Sequence, residues 1–295
     1  MKSVIAHRGS DQPVVAELSS TQNIEAGDVR VAVAAAAFTY FDAFVPAHQE
    51  ALGLPEQVGL GFDFSGTVTE IGQDVRRFAV GDRVAGLHVD ITAPVRAHTE
   101  ELVIGAGALA IVPEGLDLDV AAAVPLSALT ARQALDLLGP GRGRLLVTGG
   151  AGAVGGWLIE LATREGWHVT ALVKRDTEDL VDAEAVITEL TGTYDAVLDA
   201  AALHELAMTA VRDGGRYVGF KPGQPQTSER GITVKTVQVL PDGEGLGALL
   251  PLAAGGVVPV RIAGRAPLVE AATVYQRGWS QSGSRGRWLL VPQET

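Results

Sequence analysis

The first third of the chain is a series of short apolar runs broken by turn residues. "KSVIAH", "VRVAVAAAAF", "FSGTVTEIG" and "EELVIGAGALAIVP" are rich in β-branched residues, and Gly, Pro and Asp separate them. "RFAVGDRVAGL" predicts a reversal at "VGD" feeding a further strand. The pattern changes at "PEGLDLDVAAAVPLSALTARQALDLLGPG". There an Ala/Leu-rich run predicts one or two helices, broken by Pro125, with Asp119 as a cap and Gly139-Pro140-Gly141 as the stop. Beyond it, apolar strands alternate with helical stretches of about ten residues: "RLLVTG", "AVGGWLIELATREG", "HVTALVK", "RDTEDLVDA", "AVIT", "YDAVLDAA", "ELAMTAVRDGG" and "RYVGFK". That alternation predicts βαβ units around a parallel sheet. "GITVKTVQVL" reads as another strand and "GLGALLPLAAGG" as another helix. The tail from Val257 gives strand, helix and strand, able to pair back onto the β-rich beginning.

Within this frame one stretch invites a ligand. Gly150-Ala151-Gly152-Ala153-Val154-Gly155 fits G-x-G-x-x-G, which is weak by itself in a chain with 36 glycines. Here a strand precedes it and a helix follows, which is the context that makes it a dinucleotide fingerprint. Gly150 is expected to take the tight turn, Gly152 to let backbone approach a pyrophosphate, and Gly155 to let the helix lie on the strand. The helix start supplies N–H groups and a partial positive charge for the phosphates. An NAD-preferring site places an acidic residue after the next strand. That strand, "HVTALV", leads into Lys174-Arg175, two cations that suit the 2′-phosphate of NADP, with Asp176 one residue later.

Composition narrows the chemistry. The net charge is −12, which argues against a nucleic-acid partner. There are no cysteines, so disulfides, thiolate zinc sites, iron–sulfur clusters and cysteine nucleophiles are all ruled out. The six histidines, His7, His48, His88, His98, His168 and His204, lack ligand spacing and read as surface or locally bonded residues. The N-terminus has no long apolar stretch of the signal-peptide kind, and no window approaches a membrane span. A cytoplasmic protein with no membrane association is expected.

The order of parts, together with "FDFSGTVTEIGQDVRRFAVGDRVAG", "VPEGLDLDVAAAVPLSALTARQAL", "LLVTGGAGAVGGWLIELA", "YDAVLDAA" and "VRDGGRYVGF", resembles the medium-chain dehydrogenase/reductase superfamily. Within it the chain is similar to the zinc-free quinone oxidoreductase and enoyl reductase branch. The resemblance implies an α/β chain of two parts. One is a GroES-like β-rich catalytic domain, residues 1–117 completed by 259–295. The other is a Rossmann domain with a doubly wound parallel sheet, residues 118–258. It implies NADPH, transfer of a hydride to a quinone or an α,β-unsaturated carbonyl, and a homodimer joined at sheet edges.

In the zinc-dependent branch a His–Glu pair stands where this chain has Phe62-Asp63, so no metal is expected. The family's active-site segment resembles "AAAFTYFDAF". Tyr40 is its candidate donor to an oxyanion or proton source, or else an aromatic wall. Thr39 is the second candidate, and Asp42 is expected to fix the loop. Cofactor contacts implied by the resemblance are Thr130, Asp199, Gly219, Phe220 and Arg285. Two alternatives stay open: a dedicated biosynthetic enzyme on the same scaffold, with or without net redox change, and a non-enzymatic NADPH-binding protein.

Overall fold

The computed structural model describes residues 1–10, 12–19, 22–220, 230–280 and 286–292. The chain divides into two units, Met1–Leu126 with Leu240–Gly256 and Val260–Thr295, and Ser127–Val239 with Val257–Pro259. Each has its own sheet and core.

The first unit is built on a seven-stranded sheet centred on Asp28–Ala37. That strand pairs antiparallel with Asp63–Ile71, Glu101–Gly105 and Arg287–Val291. Arg83–Leu87 and Leu109–Ile111 extend the sheet on one side, and Ile262–Pro267 pairs parallel with Arg287–Val291 on the other. Alternation along the central strand puts Val29, Val31 and Val33 into a core with Phe64, Val68, Val84, Leu102 and Leu109. The alanines that follow are small enough to admit close neighbours. Ala35 and Ala37 pack with Ala122, Ala123 and Leu289. A three-stranded sheet of Val14–Glu17, Lys2–His7 and Gln57–Gly59 completes the unit's strands.

Several elements differ from the sequence reading. "EELVIGAGALAIVP" is two strands, Glu101–Gly105 and Leu109–Ile111, separated by a 3-10 turn at Ala106–Ala108. Asp117, not Asp119, caps the helix Leu118–Ala122, because its side chain accepts from the Asp119 N–H. "RDTEDL" makes only a 3-10 turn, Arg175–Leu180. The helix Gly243–Ala254, expected with the parallel sheet, belongs to the first unit and packs on Leu109–Ile111.

The second unit is a six-stranded parallel sheet. Its order is Ala185–Ile187, His168–Leu172, Arg144–Thr148, Tyr194–Asp199, Val211–Gly219, Thr233–Thr236. The order therefore runs outward in two directions from the junction of Arg144–Thr148 and Tyr194–Asp199. In open α/β sheets, ligands bind outside the carboxyl ends of the strands at such a reversal. Leu146, Leu172, Tyr194, Val197, Val211 and Tyr217 form its core. The helix Ala153–Arg164 buries Trp157, Leu158, Leu161 and Ala162, and packs on His168–Leu172 and Arg144–Thr148. Arg164 pairs with Glu160 one turn earlier on this helix.

Candidate functional site

The glycine stretch opens at the carboxyl end of Arg144–Thr148, on the reversal point of the sheet. Its left-handed residue is Gly149, with φ +66°, one position ahead of the expected Gly150. Gly152 caps the helix Ala153–Arg164 with extended backbone and no side-chain hydrogen bond. Gly152 and Ala153 are exposed and Val154 is half-buried, so the helix start faces open space. Gly155 is fixed by close approach: a Cβ there would lie 2.2 Å from the Gly149 carbonyl oxygen and 2.7 Å from the Gly150 Cα. An exposed, uncapped helix N-terminus of this kind leaves N–H groups for an anion. The chain's own geometry thus fits a dinucleotide pyrophosphate.

One strand away, His168–Leu172 ends and Val173 is buried. Lys174 and Arg175 then emerge into solvent. Arg175 makes an open ion pair with Glu189 at 3.5 Å, and the Lys174 carbonyl accepts from Thr177. Both cations sit at the carboxyl end of the strand next to the glycine turn. Thr130 is half-buried on the helix Pro125–Leu138. Gly219 ends the strand Val211–Gly219, its carbonyl accepting from Val237 N–H, and Phe220 follows half-buried. Arg285 lies outside the described residues.

Asp199 is placed differently from a cofactor contact. It is fully buried, and both of its oxygens are engaged by the protein itself. Thr148 Oγ1 and the Leu203 N–H donate to Oδ1 at 2.7 and 3.0 Å; the Tyr217 hydroxyl and the His204 N–H donate to Oδ2 at 2.8 and 2.7 Å. Burial raises the pKa of Tyr217, which keeps it a donor to this carboxylate.

In the first unit, "YFDAFVPA" forms a helix, Tyr40–Ala47, with Thr39 as its N-cap. Thr39 and Asp42 make a capping box. Thr39 Oγ1 accepts from the Asp42 N–H at 3.3 Å, and Asp42 Oδ2 accepts from the Thr39 N–H at 2.7 Å. The T-x-x-D spacing was the sequence signal for it. Tyr40, the first helical residue, is 59% exposed. Phe41 beside it is 40% exposed and meets Phe62 with ring centroids 6.4 Å apart.

Sequence reading missed the buried charges beneath this helix. Arg96 is fully buried with its guanidinium 4.0 Å from the Phe62 ring centroid. Among the described residues, its Nε and Nη1 and Asp42 Oδ1 have no hydrogen-bond partner. Burial pushes the Asp42 carboxyl up to about 6, against the opposing field of Arg96. Asp63 is also buried. Arg287 pairs with its Oδ2 at 2.5 Å, and the Leu126 N–H donates to its Oδ1 at 2.6 Å. Arg287 also donates to the Ala123 carbonyl at 3.0 Å. The Phe62-Asp63 position therefore holds an aromatic ring and a carboxylate already engaged by an arginine. His98 is buried and shares a 2.8 Å hydrogen bond with Tyr275, and burial lowers its pKa to about 3. Among the described residues no cluster of His, Asp and Glu is placed to hold a metal ion, and no helix is long and apolar enough to cross a membrane.

Comparison with known proteins agrees with this picture. Residues 25–114 match the family described as the alcohol dehydrogenase GroES-like domain. The trans-enoyl reductase thnE of Trichoderma harzianum is 34% identical over 216 residues, 60% of this chain and 59% of that protein. The spectinabilin polyketide synthase system protein NorB of Streptomyces orinoci is 34% identical over 212 residues, 65% of this chain. The chain spans only 4% to 9% of the length of the bacterial polyketide synthases it matches. The quinone oxidoreductase of Escherichia coli complexed with NADPH has the same fold, with a TM-score of 0.81 at 20% identity over 99% of this chain and 100% of that one. The chain thus contains an alcohol dehydrogenase GroES-like domain, has the fold of the quinone oxidoreductases, and counts trans-enoyl reductases among its relatives.

Proposed function

We propose that the protein is an NADPH-dependent oxidoreductase that delivers a hydride to a quinone or an α,β-unsaturated carbonyl. The observation that carries this reading is the exposed, uncapped helix start at the sheet's reversal, with Lys174 and Arg175 one strand away. When bound, NADPH supplies the hydride. The turn Gly150–Gly155 would hold its pyrophosphate, and Lys174 and Arg175 its 2′-phosphate. Thr130, Gly219 and Phe220 would border the nicotinamide end, as in the resemblance from which they were taken. Tyr40, exposed at a helix start, would donate to the oxygen on which negative charge develops, or return a proton to the carbon next to it. A cytoplasmic homodimer belongs to the same reading, and light scattering of the purified chain tests its dimeric part.

The trans-enoyl reductases among its relatives support the α,β-unsaturated carbonyl over the quinone. They also support a second reading, a dedicated biosynthetic reductase that accepts one such substrate. NADPH consumption, followed at the nicotinamide absorbance band against a panel of quinones, enones and enoyl thioesters, separates the two. Turnover with several acceptors fits the first; turnover confined to one enoyl thioester fits the second. No oxidation with any acceptor, in a protein that binds NADPH, contradicts both and favours a binding protein.

A further inference from the structure

The Asp199 carboxylate joins three adjacent parallel strands at the sheet's reversal point. Thr148 ends the first strand, Asp199 the second, and Tyr217 lies near the end of the third. Thr148 Oγ1, while donating to Asp199, also accepts from the Ala201 N–H at 2.9 Å. The turn after Asp199 is strained. Ala202 has φ +53°, and His204 has φ +55° with ψ −116°, a conformation that L side chains rarely adopt. Such backbone persists only where its surroundings over-determine it. Here Asp199 accepts the N–H groups of both Leu203 and His204. The other side of the turn abuts the glycine stretch, since a Cβ on Gly149 would lie 3.3 Å from the N and Cβ of Ala201.

We propose that Asp199 is a positioning residue of the dinucleotide site, holding the strained Ala200–His204 turn against Gly149 and so fixing the glycine turn that receives the pyrophosphate. This rests on the dinucleotide reading above. The chemistry requires a carboxylate specifically. All four groups facing Asp199 are donors, two on each oxygen, and an ionised carboxylate only accepts. An asparagine of the same shape would turn its NH2 toward the backbone N–H of either Leu203 or His204, which cannot reverse roles.

The test is NADPH and NADH binding by calorimetry to the full chain and three variants, with circular dichroism confirming the fold. Asp199→Asn should weaken NADPH binding about tenfold or more, as expected where hydrogen bonds to a charged group are lost. Asp199→Asn with His204→Gly should recover affinity, because glycine adopts the strained conformation without help. Tyr217→Phe, which removes one donor and keeps the ring, should weaken binding by a few-fold and serves where Asp199→Asn does not fold. Unchanged affinity in either single variant overturns the proposal, as does a double variant no better than Asp199→Asn. Wild-type protein that binds neither dinucleotide fails in a different way: it overturns the dinucleotide reading itself, and the proposal with it.

Discussion

Two arginines decide much of the chemistry of the first unit, and neither sits in an obvious motif. Arg287 neutralises Asp63 in the core, and Arg96 lies on the Phe62 ring within the field of Asp42. Arg287→Met should therefore leave Asp63 buried and unpaired, costing about 3–5 kcal/mol of stability, measured by urea unfolding. His98 gives a pH test. Burial holds its folded pKa near 3, below the ordinary 6.5, so the unfolded chain takes up the proton more readily. Its contribution to stability is present above pH 6.5 and lost as pH falls toward 3. Asp42 and Asp63 act oppositely. Burial raises both to about 6 from 3.8, so their contribution is present below 3.8 and lost as pH rises through 6. A His98→Gln variant isolates the histidine. Its melting temperature relative to wild type should rise steadily as pH is lowered from 6.5, and a constant difference would show that His98 titrates normally.

At the scale of elements, the helix Tyr40–Ala47 and the glycine turn carry the functional reading. Thr39 and Asp42 are occupied in capping that helix, so Thr39→Ala should cost about 1 kcal/mol of stability. Tyr40→Phe should lower turnover with little effect on melting temperature, since the side chain is mostly exposed. Equal turnover would reduce Tyr40 to a wall of the site. Gly155→Val should abolish dinucleotide binding, because its side chain would overlap the backbone of Gly149 and Gly150.

The glycine turn was legible in the sequence because its partners lie in one continuous strand–turn–helix stretch. The parallel sheet was legible for the same reason, since local alternation of apolar strands and helical runs defines it. The Asp199 network was not. Thr148, Asp199 and Tyr217 are separated by whole βαβ units, and only strand pairing brings their side chains together. Asp199, expected at the cofactor, instead engages Thr148, Leu203, His204 and Tyr217 with its two oxygens. Arg287 was missed because a cation two residues past Arg285 in a Gly/Ser-rich loop reads as solvated. Its burial depends on pairing Arg287–Val291 with the central strand.

For the whole molecule, each unit contributes a different part of the account. The β-rich unit has the family's GroES-like pattern but places an aromatic ring and an arginine-bound aspartate at Phe62-Asp63. The second unit has the strand order and glycine turn of a dinucleotide site. A net charge of −12 opposes anion binding in general, so a phosphate-bearing ligand depends on a local concentration of donors and cations. That makes the pairing of the glycine turn with Lys174 and Arg175 the central claim. Its most direct test is calorimetric titration of the wild-type chain and the Lys174→Ala/Arg175→Ala variant with NADPH and with NADH. The expected result is a wild type that prefers NADPH, and a variant whose NADPH affinity falls by about tenfold to a hundredfold while NADH affinity is unchanged. A wild type that prefers NADH, or a variant that keeps its NADPH affinity, would contradict it.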